Sequence, residues 1–144
     1  MDPIILTDDL QHVDWTALAR VFELAPLGIR HPDDLRKAFQ RSYLSVFAFD
    51  NGKLVGAARV VSDGVYYATI FDVVVLPSYQ RKGIGTAMMK ALLNNMTFEK
   101  IFLTSVPGKE VFYRKLGFYK HHTAMALYAE PEPYVKIGIL SREV

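Results

Sequence analysis

No cysteine occurs anywhere in the 144 residues. Disulfide staples, thiolate metal ligands and an acyl-enzyme on sulfur are excluded with it. No apolar run approaches 18 residues, so no segment is expected to span a membrane. The start, Met1-Asp2-Pro3, has an acid where a secretory leader needs a basic stretch and then an apolar one. A signal peptide is therefore not expected, and a cytoplasmic protein is. Neither sign of charge dominates: 17 Lys and Arg face 15 Asp and Glu, a net of +2. With no long basic run either, a nucleic-acid binder is disfavoured. The four histidines lack ligand spacing. His121 and His122 are adjacent on an expected strand, so they point to opposite faces and cannot share one ion; no metal is expected. What the chain does have is apolar residues, 51% of the total, enough for the core of one domain spanning residues 1–144.

The richest stretch is Tyr67–Asn94, YATIFDVVVLPSYQRKGIGTAMMKALLN. It reads as a buried strand, a break at Pro77, a basic loop Gln80-Arg81-Lys82, then Gly83-Ile84-Gly85 opening a helix. Unpaired N–H groups at a helix N-terminus, with the helix dipole behind them, favour a polyanion. The glycines let the backbone approach it closely. Two familiar phosphate loops are missing a part. Gly85 is followed by Thr86, not by the lysine of a Walker loop, and Met88 stands where a dinucleotide fingerprint needs its third glycine.

What remains, Q-x-x-G-x-G after an apolar strand, resembles the pyrophosphate loop of the GCN5-related N-acetyltransferases, which bind acetyl-CoA. A second segment has the same likeness. Phe112-Tyr113-Arg114-Lys115-Leu116-Gly117-Phe118 is similar to the F-Y-x-K-x-G-F segment after the fifth strand of many of these enzymes. Its Gly117 and Phe118 also read as a helix stop with a hydrophobic contact beyond it. The likeness is clear over about residues 43–128. It implies an α/β (α+β) fold: a mixed, mostly antiparallel twisted sheet of about six to seven strands, helices on both faces, and a splay between the fourth and fifth strands.

Local patterns give the elements. Ile4–Leu6 is a short strand, Trp15–Leu24 a helix, and Pro32–Phe39 a second helix with acids in its first turn. Ser45–Phe49 and Leu54–Val61 flank Asn51-Gly52, a hairpin turn, and Asp63-Gly64 supplies another into Tyr67–Val75. Gly85–Asn94 is a helix packed through Ile84, Met88, Ala91 and Leu92. Lys100–Thr104, a helix over Lys109–Leu116 and a strand at Ala124–Tyr128 follow. Glu130-Pro131-Glu132-Pro133 reads as an extended connector, and Tyr134–Leu140 as a strand that either completes the sheet or crosses to a partner subunit in a homodimer.

The chemistry implied by the resemblance is acetyl transfer from the CoA thioester to a primary amine in a ternary complex. A lysine-like ammonium, pKa about 10.4, leaves about one molecule in a few thousand nucleophilic at neutral pH, so a proton must be removed or the amine's pKa depressed. Tyr113 matches the family tyrosine that points at the thioester sulfur, and is the candidate acid. Asp72 is the one carboxylate in an apolar strand, where a charge needs a partner or a purpose. The surrounding ATIFDVVV-x-PSYQ resembles plant chloroplast-type serotonin and lysine N-acetyltransferases, which carry an Asp there. Asp72 is thus a candidate base or ammonium holder; the other reading is a structural Asp bonded to backbone, Arg59 or Lys53. Val106 stands where those relatives have a further Asp, a departure that weakens the transfer of their arylalkylamine activity to this chain. The donor site implied comprises Val73, Val74, Val75, Gln80, Arg81, Lys82, Gly83, Ile84, Gly85, Thr86, Phe112 and Tyr113. Trp15, Tyr43, Phe71, Tyr79 and Tyr128 either line an aromatic acceptor pocket or pack the core. A silent acyl-CoA sensor, or a donor such as succinyl-CoA, is compatible with the same loop.

Overall fold

In the computed structural model, which describes residues 3–144, the chain forms two compact units, Met1–Leu103 and Thr104–Val144. The first holds β1 (Ile5–Thr7), α1 (Trp15–Leu24), α2 (Pro32–Gln40), β2 (Leu44–Asp50), β3 (Lys53–Ser62), β4 (Tyr67–Val75), α3 (Ile84–Leu93) and β5 (Lys100–Leu103). Its strands form one sheet in sequence order, β1-β2-β3-β4-β5. The first four are antiparallel, and β5 runs parallel to β4 after the α3 crossover. Among the described residues the sheet has five strands, fewer than the six to seven expected.

Local chemistry sets these boundaries. The Asp14 carboxylate accepts the Ala17 N–H at 3.1 Å and starts α1. Pro32 starts α2 where its missing N–H is not needed, with Asp33 and Asp34 in the first turn. Asn51 (φ +47) and Gly52 (φ +80) form the two-residue turn between β2 and β3, the left-handed pair that suits strand twist. The β3–β4 connection is longer than the Asp63-Gly64 pair suggested. It spans residues 63–66, with Asp63 Oδ1 accepting the N–H groups of Val65 and Tyr66, each at 2.8 Å. Those two bonds hold the Asp63 carboxyl below its usual pKa.

Helices cover both faces of the sheet. Phe47, cross-strand partner of Ala57, meets the rings of Trp15 and Phe39 from α1 and α2. Ala48 and Gly56 pair on the opposite face, where a Cβ on Gly56 would lie 3.3 Å from Met88 Sδ of α3. The buried apolar residues run from Val13 to Met96, with Phe22, Phe39, Phe47, Leu18 and Ile70 the largest that are fully buried. Pairing of β4 with β5 ends at Ile70 opposite Leu103, although β4 continues to Val75. The pairing stops there because β5 itself ends at Leu103.

The second unit contains α4 (Glu110–Lys115) and α5 (Glu132–Lys136). After α4, the Gly117 N–H bonds the Arg114 carbonyl and the Phe118 N–H that of Tyr113, a Schellman stop. The strand expected at Ala124–Tyr128 is not formed. Residues 124–128 carry no β pairing, Met125 and Leu127 are exposed, and the Tyr128 ring packs against Tyr134 at 4.7 Å. Strand composition without a hydrogen-bonding partner makes no strand. The extended connector and the Tyr134–Leu140 strand are also corrected. Pro131 and Pro133 fall at the start of α5, where proline is tolerated. The turn after it closes with Gly138 N–H to Val135 O and Ile139 N–H to Tyr134 O.

Candidate active site

β4 delivers the chain into a single 3₁₀ turn, Pro77–Tyr79, and then into the loop before α3. Gln80 braces this bend, its Nε2 donating to the Val75 carbonyl at 2.9 Å. Arg81 adopts φ +62 and Gly83 φ +82, and Gly83 is the N-cap of α3 with no side chain on the N–H groups of the first turn. The helix therefore presents unclaimed donors and the positive end of its dipole beside two exposed cations, Arg81 and Lys82. Ile84 is buried and anchors the helix to the core, while Gly85 and Thr86 sit half-buried in its first turn. Tyr79, which sequence reasoning left as a pocket or core candidate, ties the loop to the β2–β3 hairpin. Its O–H donates to Asp50 Oδ2 at 2.6 Å, and Lys82 and Lys53 lie 5.4 and 5.6 Å from its ring centroid. The hydrogen bond to Asp50 pushes the Tyr79 phenol up.

Asp72 lies two residues beyond the last β4–β5 pair, on a bulge. Ala57 pairs with Val74 and Arg59 with Phe71, so Asp72 and Val73 together oppose Ala58. Asp72 has φ +59. This local inversion puts two consecutive side chains, Phe71 and Asp72, on the α1–α2 face, where both meet Arg59. In unbroken alternation the carboxylate would face α3 and the apolar core. Arg59 Nε donates to Asp72 Oδ2 at 2.7 Å and Arg30 Nη2 to Oδ1 at 3.0 Å. Arg59 is itself held by Ser42 Oγ at 3.4 Å and by the rings of Phe71 and Phe39. Asp72 thus bonds Arg59, as the structural reading anticipated, and not Lys53. Arg30, on the loop between α1 and α2, was missed: no local pattern marks a residue that pairs 42 positions away.

Val73, Val74 and Val75 follow the bulge, Val74 buried and its neighbours half-buried. In the second unit, Phe112 and Tyr113 lie together on α4 with ring centroids 4.9 Å apart, and Tyr113 packs edge-on to Phe118 at 6.1 Å. Burial pushes the Tyr113 phenol above its ordinary pKa of 10.0. Val106 is exposed, its carbonyl accepting from Lys109 N–H. Among the described residues no group of three or more His, Asp or Glu side chains is placed to hold a metal ion, and no helix is long and apolar enough to cross a membrane.

The model of the acetyltransferase (GNAT) domain family matches residues 42–120, more than half of the chain. The chain belongs to this family. Among its GNAT relatives, serotonin N-acetyltransferase 2, chloroplastic, of Oryza sativa subsp. japonica is 36% identical over 74% of this chain and 56% of its own length. The uncharacterized N-acetyltransferase ycf52 of Porphyra purpurea is 42% identical over 75% of this chain and 59% of its own. The chain thus spans somewhat over half the length of these two relatives. A probable acetyltransferase of unknown function from meticillin-resistant Staphylococcus aureus shares the fold with a TM-score of 0.79, covering 89% of this chain and 99% of that one at 22% identity. The expectation of a cytoplasmic protein is corrected by these likenesses: the rice relative is chloroplastic by name, and a GCN5-related N-acetyltransferase of Arabidopsis thaliana, 45% identical over 44% of this chain and 34% of its own, is too.

Proposed function

We propose that this GNAT domain transfers an acetyl group from acetyl-CoA to a primary amine by direct attack within a complex of both substrates. The observation that carries the reading is the open N-terminus of α3, capped by left-handed Gly83 with no side chain on its first-turn donors. Such a terminus suits a pyrophosphate, and it follows a strand whose pairing with β5 stops short of its own end. In this reading the residues from Gln80 to Thr86 hold the pyrophosphate through backbone N–H groups, with Arg81 and Lys82 adding charge and Gln80 bracing the bend. The backbone of Val73, Val74 and Val75, beyond the last β5 pair, receives the pantetheine arm. Acetyl-CoA supplies the thioester carbonyl and a thiolate leaving group.

Asp72 holds the acceptor as an ammonium and receives its proton, directly or through a water. The amine nitrogen then forms the new N–C bond as the C–S bond breaks. Tyr113 gives the departing sulfur its proton and regains one from solvent, with Phe112 packed beside it. A phenol pushed up by burial is still protonated at neutral pH, as this role requires. The deciding experiment is release of CoA thiol from acetyl-CoA with serotonin, the amine in the rice relative's name, and with polyamines, aminoglycosides, amino acids and lysine peptides. Thiol release with one class identifies the acceptor. Acetyl-CoA binding with no release from any of them would favour a sensor.

A further inference from the structure

The two arginines on Asp72 are not equivalent. Arg59 grips Oδ2 at 2.7 Å with its side chain 18% exposed, and Ser42, Phe39 and Phe71 fix it from the other sides. Arg30 reaches Oδ1 at 3.0 Å with its side chain 35% exposed. It stands on the short α1–α2 loop, two residues after Gly28 at φ +115 and next to Ile29, which is 83% exposed. Its one ring contact is with Phe22, 4.7 Å away. Arg30 also lines a recess of about 210 Å³ beside α1, and Glu23 lines the same recess. One guanidinium is therefore built in, while the other borders open space, across which Glu23 is already paired with Arg20 at 3.0 Å.

We propose that Arg30 is an internal stand-in for the acceptor. In the free protein its guanidinium fills the place on Asp72 Oδ1 that the ammonium of the incoming amine takes, and amine binding moves it outward into the recess beside α1. This rests on the acetyl-transfer reading, with Asp72 as the group that holds the amine. Exchanging one cation for another on the same oxygen keeps the carboxylate paired throughout, which a charge 11% exposed requires. Arg30 thereby sets acceptor affinity by competition: a cationic amine displaces it, whereas a neutral acceptor of the same shape gains nothing on Asp72.

The sign of the effect separates this role from a supporting one. In Arg30→Gln, KM for the best acceptor of the amine panel should fall about two- to fivefold, the scale of a partly exposed ion pair, while KM for acetyl-CoA stays put. A raised or unchanged amine KM overturns the proposal, because a residue that merely braces the loop weakens acceptor binding when removed. A second readout does not need turnover. In ¹⁵N-labelled full-length protein with CoA bound, millimolar serotonin or a lysine peptide should shift the guanidinium signals of Arg30 and leave those of Arg59 in place. Both sets stationary, or both moving, overturns it. Wild-type protein that binds acetyl-CoA but releases no thiol speaks against the acetyl-transfer reading, and the spectra still decide the fate of Arg30.

Discussion

Gly83 adopts φ +82 with nothing within 4 Å of where a Cβ would go, so a substitution there meets backbone strain and no clash. Gly83→Val should keep the fold at a cost of about 1–3 kcal/mol. It should weaken acetyl-CoA binding about tenfold or more, as read by calorimetry; unchanged affinity would remove this loop from the donor site. Tyr113 is testable by substitution and by pH. Tyr113→Phe should lower turnover about 10²-fold, the worth of a positioned acid, with acetyl-CoA affinity little altered. Burial raises the phenol's pKa, so its protonated form persists as pH climbs and is lost only above the ordinary 10.0. The basic limb of the rate profile due to Tyr113 should therefore lie above pH 10, and a limb at lower pH would assign the acid elsewhere. At this scale the sequence was legible where one residue broke a local pattern. Asp72 announced itself as a charge in an apolar strand, and Gly83 as a glycine before a helix. Arg30 broke no pattern, and neither did the inversion at Asp72: φ +59 arises from the register of two strands, which short-range spacing does not encode.

Among the elements, β4 has the most to accommodate. It pairs on both sides up to Ile70, then bulges, then passes over α3 so closely that Gly56 of β3 has no room for a side chain. A Cβ there would lie 3.0 Å from the Val74 carbonyl and 3.3 Å from Met88 Sδ. Gly56→Ala should therefore destabilise by about 1–3 kcal/mol, the range for overpacking, seen as a lower urea midpoint. It should also weaken acetyl-CoA binding, because β4 and α3 are the two ends of the phosphate loop. A neutral outcome would mean that β4 shifts freely. Helix boundaries at α1 and α2 and the β2–β3 hairpin were readable because caps and the Asn-Gly turn are local chemistry. The stop after α4 was readable for the same reason. Residues 134–140 have strand-like composition yet form a helix end, because Gly138 follows Tyr134-Val135-Lys136 in the place of a helix stop.

Taken whole, the molecule concentrates its stability. Every buried apolar side chain among the described residues lies between Val13 and Met96. Amide hydrogen exchange should accordingly show the strongest protection in β2, β3 and β4 and weak protection across residues 104–144; uniform protection along the chain would contradict this distribution. The sheet order has one more consequence, concerning manufacture. Each of the five strands is laid beside the one made just before it, and no later segment inserts among them. A ribosome adding about 5–20 residues per second thus releases the sheet strand by strand. The whole of it can close before the second unit, Thr104–Val144, has emerged.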